Sequence, residues 1–433
     1  MIRNLTAYPA YKDSGVPWLG RVPEHWELKP LKRWVRINES NLPETTPADY
    51  EFKYIDIGTV GTGFLIREPQ QMRFGGAPSR ARRVLRRGDT IVSTVRTYLK
   101  AVYHVARDAN ALVCSTGFVV LTAGPGTHPK YVSYLAKSSF FIDCICAESV
   151  GTAYPAIAES RLRSFRVPVP PFPEQTSIVR FLEWTEQRIR RLIRARKKRI
   201  KLLEEYKEAL IHQVVTGQID VQTGKPYPAY KDSGVEWLGD VPVHWDIVPN
   251  RSVIRLKKHL VGEASTDYTL LSLTKGGIVV RDLENIEGKF PTSFDTYQVV
   301  EPGDIVFCMF DIDETPRAVG LSSLHGMITG AYTVFECTDP ILRAYIYFFY
   351  LAMDNGKFLK PLYTGLRKVI TRFSFMAAKI PLPTKEEQNV IVGYLDTQIA
   401  KIDATIVATR KELELLREYL TRLISDVVTG KVD

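Results

Sequence analysis

The amino-acid sequence predicts an α/β protein with two tandem α/β domains, each followed by one long coiled-coil helix. Three observations predict this fold class. A short aromatic motif occurs twice, a long heptad-patterned block occurs twice, and two dissimilar segments containing short β-type runs lie between them. Internal repeats of this length indicate that one arrangement of elements occurs twice in the fold.

The short aromatic motif, called here the opening motif, spans residues 8–26 and recurs at residues 227–245. The first copy is YPAYKDSGVPWLGRVPEHW and the second is YPAYKDSGVEWLGDVPVHW. Each copy ends in a His-Trp pair, which is His25-Trp26 in the first half and His244-Trp245 in the second. Because both halves contain the pair, packing or docking explains these histidines better than catalysis does.

The long block spans residues 173–220 and recurs at residues 386–433. Proline-rich stretches precede both copies and Val-Val-Thr-Gly ends both, as expected for a helix that follows proline and is capped by glycine. The run from Glu174 to Thr216 would form a helix about 64 Å long at 1.5 Å per residue.

A heptad seam with alternating steps of four and three indicates a coiled coil. In the second copy the seam is Leu395, Ile399, Ile402, Ile406, Thr409, Leu413, Leu416, Leu420, Leu423 and Val427. The first copy has the same register with more polar members: Leu182, Glu186, Ile189, Ile193, Arg196, Ile200, Leu203, Lys207, Leu210 and Val214. Their matched length and register favour pairing with each other, and pairing with another chain is the alternative.

The two segments between the repeats, roughly 34–165 and 253–378, share only short landmarks, such as Gly-Asp at Gly88 and Gly303. Short β-branched or aromatic runs predict strands in both. In the first segment they are 54–57, 90–93, 101–105 and 117–121, and in the second 269–273, 304–307 and 332–335. Apolar stretches at 131–142 and 342–353 predict one closing helix in each segment.

Composition narrows the class of protein. The chain of 433 residues is 45% hydrophobic and 24% charged, with a net charge of +10, which is typical of a globular protein and favours an anionic partner, nucleic acid before membrane. No run approaches the roughly 20 apolar residues of a membrane span, and no signal-peptide core is present, so we expect a cytoplasmic protein. The five cysteines follow neither a disulfide nor a zinc-site spacing.

Signatures of catalysis are missing. The Gly61-Thr-Gly63 run lacks the third glycine of a dinucleotide loop, and neither a Walker A motif nor a His-Glu-x-x-His motif occurs. The Asn-Pro-Pro-aromatic signature of adenine methyltransferases is also absent. We therefore expect no catalytic residue, cofactor or metal in this chain, which alone should neither methylate nor cleave DNA.

Basic residues are the candidate binding groups, because arginine suits phosphate and guanine contacts. In the first variable segment the candidates are Arg80, Arg82, Arg83, Arg86, Arg87, Arg96 and Lys100, and in the second they are Lys275, Arg367 and Lys368. A solvated loop is the alternative explanation for the arginine run. The basic stretch at 188–201 of the first helix is equally well explained as a solvated face or as a surface for DNA or an acidic partner.

The opening motif, the Pro-x-x-x-x-Gln start of each helix and its Val-Thr-Gly-x-Ile/Val-Asp end resemble type I restriction–modification DNA-specificity subunits over the entire chain. The resemblance implies a pseudo-two-fold protein in which an antiparallel helical spacer holds two target-recognition domains apart. It implies double-stranded DNA with an asymmetric, bipartite target as the ligand. The partners implied are two modification subunits that supply S-adenosylmethionine chemistry and a restriction subunit that supplies ATP- and Mg-dependent translocation and cleavage.

The domain boundaries expected on this basis are an opening segment 1–33, target-recognition domain 1 at 34–170, spacer helix 1 at 171–217, a second opening segment 218–252, target-recognition domain 2 at 253–383 and spacer helix 2 at 384–433. Two other classes compete with this interpretation. A stand-alone DNA methyltransferase or nuclease conflicts with the missing motifs. A coiled-coil scaffold explains the helices but leaves the two variable domains without a role.

Overall fold

In the computed structural model, the residues that the structure describes are 6–106, 110–281, 293–312, 314–365 and 368–432. They form two compact units. Unit 1 comprises residues 1–196 and 411–433, and unit 2 comprises residues 197–410. Each unit thus contains one opening motif, one variable segment and a part of both long helices.

Unit 1 combines short strands with four short helices. Its strands are β1 (Tyr11–Asp13), β2 (Arg21–Pro23), β3 (Glu27–Pro30), β4 (Val35–Ile37), β5 (Glu51–Ile55), β6 (Gln70–Arg73), β7 (Ala81–Val84), β8 (Thr90–Ser93), β9 (Val102–His104), β10 (Leu112–Ser115), β11 (Phe118–Ala123) and β12 (Arg166–Val169). Its short helices are α1 (Leu31–Trp34), α2 (Pro129–Lys137), α3 (Ser139–Ala147) and α4 (Glu159–Arg163), and the long helix α5 (Phe172–Val215) begins in it.

Unit 2 has a similar order of elements. Its strands are β13 (Tyr230–Asp232), β14 (Asp240–Pro242), β15 (Asp246–Pro249), β16 (Arg255–Lys257), β17 (Leu271–Thr274), β18 (Gly277–Val280), β19 (Gln298–Val300), β20 (Ile305–Phe307), β21 (Val319–Leu321), β22 (Gly326–Ile328), β23 (Thr333–Glu336) and β24 (Lys379–Leu382). Its helices are α6 (Pro340–Asn355), α7 (Arg372–Ala377) and the long α8 (Lys385–Val428), which ends in unit 1.

One four-stranded sheet has the same topology in both units. Its strand order is β4-β11-β8-β9 in unit 1 and β16-β23-β20-β21 in unit 2, and every neighbouring pair in both sheets is antiparallel. A second ladder closes each variable segment, β3 with β12 and β15 with β24. The fold class predicted from the sequence, two α/β domains with long coiled-coil helices, is confirmed.

Strand β8 is buried on both faces, which explains its continuous Thr-Ile-Val-Ser run. Ile91 packs in a cluster with Ile55 and Phe118, whereas Val92 packs on the other face with residues of α2 such as Tyr131. A strand covered on both faces shows a continuous apolar run in place of alternation. The predicted strand 90–93 therefore matches the observed one.

The predicted helix at 131–142 is wrong as a single element. Two helices, α2 and α3, meet at Ser138, whose hydroxyl accepts a hydrogen bond from the backbone N–H of Phe141. A serine in this position caps the start of a new helix, because its side chain satisfies an amide that has no partner within the helix. The second predicted helix, 342–353, lies within α6.

The two long helices pair with each other inside each unit. In unit 1, Ile178, Val179 and Leu182 of α5 share a hydrophobic cluster with Leu423 and Val427 of α8. In unit 2, the opposite ends meet: Leu210 and Val214 of α5 share a cluster with Leu395, Ile402 and Ile406 of α8. Within each unit the segments are antiparallel, and the predicted a/d seam is the least exposed face of both helices, with several of its members only half-buried.

Polar residues in the α5 seam have partners on α8. Arg196 Nε lies 2.7 Å from Glu412 Oε2 in unit 1, and Lys207 Nζ lies 2.6 Å from Asp403 Oδ1 in unit 2. These pairs explain why the first helix has a less regular apolar seam than the second. Among the residues that the structure describes, no helix is long and apolar enough to cross a membrane.

His104 makes the stability of unit 1 sensitive to acid. Burial lowers the pKa of His104 to about 4, and the nearby Lys137 and Lys130 contribute in the same direction. Its ring Nδ1 lies 3.1 Å from the hydroxyl of Thr90 on the neighbouring strand. An unfolded histidine has a pKa near 6.5, so below that pH the unfolded chain binds the proton more readily than the folded chain does.

We expect the free energy of unfolding to fall by about 2–3 kcal/mol from this residue as the pH drops from about 6.5 to 4. Replacing His104 by Gln should remove that part of the pH dependence and leave stability at pH 8 little changed. Urea unfolding across this pH range measures both variants. Equal pH slopes for the wild type and the variant contradict the prediction.

Candidate nucleic-acid interface

A half-buried carboxylate links the first opening motif to the start of α5. Glu174 lies in the first turn of the helix, and its Oε1 accepts hydrogen bonds from Tyr8 Oη and Trp26 Nε1, both at 2.8 Å. His25 Nε2 lies 2.9 Å from the other carboxylate oxygen. We call Glu174 with Tyr8, His25 and Trp26 the glutamate anchor of unit 1.

Unit 2 contains the same glutamate anchor. Glu387 accepts hydrogen bonds from Tyr227 Oη at 3.2 Å and Trp245 Nε1 at 3.3 Å, and His244 Nε2 lies 3.0 Å from both its oxygens. Burial acts to raise the pKa of Glu387, but the hydrogen bonds from His244 and Trp245 outweigh burial and lower it from the usual value. Both histidines thus contact a glutamate of their own unit, and whether they also serve docking stays a prediction.

The helix glutamines fix the same junction. Gln175 Nε2 donates to the carbonyl of Pro170 and Gln388 Nε2 to that of Pro383, each at 2.9 Å. Both glutamine side chains are buried. Because proline has no backbone N–H, each proline-rich stretch has few backbone donors, and the glutamine amide donates to a carbonyl there in their place. The Pro-x-x-x-x-Gln pattern is thus a structural link between the variable segment and its helix.

The far end of a long helix completes each junction. Tyr131 Oη donates to the carbonyl of Val428 at 3.0 Å in unit 1, and Tyr345 Oη donates to that of Val215 at 3.1 Å in unit 2. The glycine that follows each helix has a positive φ, 72° at Gly430 and 73° at Gly217. A side chain at Gly430 would also collide with Pro23. Glycine is therefore required here both for the positive φ and for the close approach of Pro23.

The predicted arginine cluster divides into three groups. Two members lie on β7 and have partners inside the domain: the Arg82 guanidinium lies 4.6 Å from the centre of the Phe74 ring, and Arg83 Nη2 lies 3.5 Å from Glu159 Oε2. The side chain of Arg83 is only 15% exposed. Successive residues of a strand point to opposite faces, which accounts for these separate partners.

Two further members, Arg86 and Arg87, are exposed and follow the end of β7, whereas Arg80 precedes its start. They precede Gly88, whose φ of 94° turns the chain into β8. The backbone N–H of Arg86 donates to Asp89 Oδ2 at 2.7 Å, which fixes the turn while the two guanidinium groups face solvent. This turn presents two positive charges without an ion-pair partner among the described residues.

Arg80 belongs to a different surface, a cleft of about 510 Å³ whose lining includes Tyr54, Asp56, Arg96 and Tyr154. The Arg96 guanidinium lies 4.8 Å from the centre of the Tyr154 ring, a cation–π distance. The structure thus brings Arg80 and Arg96 together and separates them along β7 from Arg86 and Arg87.

Lys100 lies on the short connection that follows Arg96. Between them is one turn of 3-10 helix, Thr97–Leu99, in which Tyr98 is 55% and Leu99 41% exposed. Sequence reasoning missed Tyr98, Leu99 and Tyr154. Aromatic residues next to basic ones are a signal of nucleic-acid surfaces, and the run from Arg96 to Lys100 has that pattern.

In unit 2, Lys275 is exposed in the tight turn between β17 and β18. Lys368 lies in a loop before α7 with a φ of 48°. Arg367, the third predicted residue, lies outside the described residues. The two described lysines occupy separate loops.

Comparison with known proteins agrees with this architecture. A family model for the type I restriction modification DNA specificity domain matches residues 23–202. The putative type I restriction enzyme MjaX specificity subunit of Methanocaldococcus jannaschii is 20% identical over 96% of this chain and 95% of its own length. The MjaVIII specificity subunit of the same organism is 22% identical over 70% of this chain and 69% of its own length.

Two solved structures have the same fold. One is a chain from a structure of the type I restriction–modification system, with a TM-score of 0.72, 23% identity and coverage of 95% of this chain and 99% of that chain. The other is the HsdS subunit from Thermoanaerobacter tengcongensis, with a TM-score of 0.56, 23% identity and coverage of 95% and 97%. Residues 23–202 thus match the type I restriction modification DNA specificity domain, and nearly the whole chain is similar in sequence to a type I restriction enzyme specificity subunit.

Proposed function

We propose that this chain is the DNA-recognition component of a type I restriction–modification complex, in which each variable domain reads one part of an asymmetric, bipartite double-stranded DNA target. The chain itself has no catalytic role. It directs partner subunits to the sequence that its two domains recognise.

The observation that carries this proposal is a duplicated framework that holds two dissimilar domains. The glutamate anchors at Glu174 and Glu387 and the sheets around β8 and β20 are matched, whereas the exposed residues of the variable segments differ. A framework that is kept while its surface changes suits recognition of two different sequences by one fold. Dissimilar domains favour an asymmetric target.

The partners follow from the same duplication. A surface presented twice suits two copies of one partner, and we propose two modification subunits that bind S-adenosylmethionine and transfer the methyl group. A restriction subunit that uses ATP and Mg completes the complex. We propose a cytoplasmic location, because the DNA on which such a complex acts is there.

The direct test is to express this chain with its modification subunit in a host that lacks other methyltransferases and to sequence the methylated genome. We expect methylation at one two-part motif with a fixed gap, and none when this chain or the modification subunit is omitted. Methylation by this chain alone, or methylation without a sequence motif, contradicts the proposal.

The basic residues are proposed to contact DNA to different degrees. Arg80, Arg86, Arg87, Arg96, Lys100 and Lys275 are exposed and are proposed as contacts, and Arg367 and Lys368 stay proposals from the sequence. Arg82 and Arg83 have partners inside the domain, so we propose that they support β7 and contribute only indirectly.

Replacing both Arg86 and Arg87 by alanine should weaken binding equally on the target and on a scrambled duplex, because phosphate contacts carry no sequence information. The slope of log Kobs against log[salt] should become shallower by about 2, since each lost phosphate contact contributes about 0.9. Titrations of the assembled complex at several salt concentrations measure this slope.

A matched control removes two other arginines. Arg36 and Arg73 are exposed in the same unit and already paired with Glu39 and Glu51. Their double alanine variant changes the net charge by the same amount and should leave the slope nearly unchanged. If both double variants shift the slope equally, the effect belongs to net charge and not to the Arg86–Arg87 turn.

A further inference from the structure

Equivalent connections leave the same strand in the two units. Residues 94–101 join β8 to β9, and residues 308–318 join β20 to β21. Equivalent backbone hydrogen bonds close the two connections. Ser93 N donates to the carbonyl of Ala101 at 2.9 Å, and Cys308 N donates to the carbonyl of Ala318 at 2.8 Å. Between these hydrogen-bonded residues the first connection is shorter by two residues, but Ser93 and Cys308 occupy one structural position.

The turns before the two strands confirm this alignment. Gly88 and Gly303 have φ values of 94° and 98°, and each is followed by a buried aspartate. Asp89 accepts the backbone N–H of Arg86 at 2.7 Å, and Asp304 accepts that of Glu301 at 2.8 Å. Counting from these turns, Arg96 in unit 1 is equivalent to Asp311 in unit 2.

Arg96 and Asp311 share a backbone conformation that non-glycine residues seldom adopt. Their φ values are 50° and 46°, in the left-handed region. Such a conformation costs of order 1 kcal/mol and persists only where the surroundings fix it. The next residue is buried in both loops, with Thr97 3% and Ile312 2% exposed.

The buried residues fix both loops from inside. In unit 1, Thr97 Oγ1 donates to Ser149 Oγ at 2.9 Å, and Cys146 Sγ donates to the Thr97 carbonyl at 3.6 Å. In unit 2, Lys357 Nζ donates to the carbonyls of Ile312 at 3.0 Å and Thr315 at 3.1 Å. Each loop is therefore held at its base, and the residue before the buried one is directed away from it.

The two equivalent side chains have opposite hydrogen-bonding character. Arg96 is exposed and has only donors, and among the described residues its side chain contacts the exposed ring of Tyr154. Asp311 is half-buried, and its carboxylate has only acceptors and no hydrogen-bond or ion-pair partner among the described residues. One position in a repeated loop thus presents a donor in one domain and an acceptor in the other.

We propose that Arg96 and Asp311 are equivalent base-reading residues, Arg96 donating to the O6 and N7 acceptors of a guanine and Asp311 accepting from the N4 amino group of a cytosine. Both pairings match the major-groove patterns of these bases. This inference rests on the proposed DNA-recognition function and names the residues that make the two halves of the target different. Repulsion from phosphates disfavours a carboxylate at a DNA surface unless it faces a base amino group.

Glycine substitutions test the proposal without disturbing the loops, because glycine adopts the left-handed conformation at no steric cost. In the assembled complex, Arg96→Gly should leave the melting temperature nearly unchanged. It should reduce the preference for guanine at one position of one half-site by about 5- to 150-fold, with every other position still read. Asp311→Gly should relax one cytosine position in the other half-site.

The measurement is competition binding between the target duplex, all single-position variants of it and a scrambled duplex. Arg36→Ala serves as the charge-matched control and should keep the wild-type preference at every position. Arg96→Lys keeps the charge without the bidentate fork, so it should keep affinity for the scrambled duplex and lose guanine preference.

Three results overturn the inference. If Arg96→Gly weakens binding to the target and scrambled duplexes equally and makes the salt dependence shallower, Arg96 contacts phosphate and does not read a base. Unchanged binding of both glycine variants removes the two loops from base recognition. Relaxation at a position other than guanine for Arg96 or cytosine for Asp311 contradicts the assigned pairing. If the wild-type complex itself does not discriminate between target and scrambled duplexes, the proposed function fails, and not this inference alone.

Discussion

Replacing Glu174 by alanine should lower the free energy of unfolding of unit 1 by about 3 kcal/mol and release the first opening motif from α5. The variant leaves the indole N–H of Trp26, which is fully buried, without its acceptor, and an unsatisfied buried donor costs about 1–3 kcal/mol. It also removes the charged acceptor of Tyr8 Oη, and hydrogen bonds to charged groups contribute about 1.5–3 kcal/mol.

Hydrogen exchange measured by mass spectrometry locates the effect. Glu174→Ala should increase exchange in residues 8–26 and leave residues 227–245 protected, and Glu387→Ala should do the reverse. Glu205→Ala on the exposed face of α5, where Glu205 pairs with Lys201, should change neither segment. Equal deprotection of both motifs by one variant would mean that the anchors do not act separately.

Replacing residues 31–165 by residues 250–378 of the same chain should produce a target whose two halves carry one sequence on opposite strands. The ladders define these junctions, because Leu31 N donates to the Phe165 carbonyl at 2.8 Å and Asn250 N to the Ala378 carbonyl at 2.9 Å. Both anchors and both ladders that close the domains stay in place. Each half of the framework then holds the same domain, next to antiparallel segments of α5 and α8.

Methylome sequencing of cells with the hybrid chain and the modification subunit reads out the target. The reciprocal hybrid, with residues 31–165 in both positions, should give a symmetric target built from the other half-site. Together the two hybrids should contain both halves of the wild-type motif. A hybrid that folds, assembles and keeps the asymmetric wild-type target would falsify the assignment of one domain to one half-site.

Much of the fold could be predicted because it depends on local pattern and on the repeat. The seam that includes Leu395 and Leu413 follows directly from heptad spacing, and β8 from its apolar run. The break at Ser138 was missed, since serine within an apolar stretch signals a cap only when the helix on its far side is known.

The candidate site was harder to predict, because it depends on which face of a strand each side chain occupies. Five arginines that are close in sequence predict one patch, yet Arg82 and Arg83 point to opposite faces of β7, and Arg80 belongs to a cleft with Tyr154. Long-range partners such as Glu159 and Glu174 leave no periodic signal. The anchor role of Glu174 became visible only through contacts across about 150 residues of chain.

The two units also differ in when each becomes complete during synthesis. Unit 2 needs only residues 197–410, a continuous stretch, but the hydrophobic cluster of unit 1 includes Leu423, Ile424, Val427 and Val428 of α8. At about 5–20 residues per second, the ribosome needs roughly 10–50 s between residue 196 and these residues. Until then the apolar surface of the first domain that α8 covers is exposed, so we expect the domain that is synthesised first to complete its folding last.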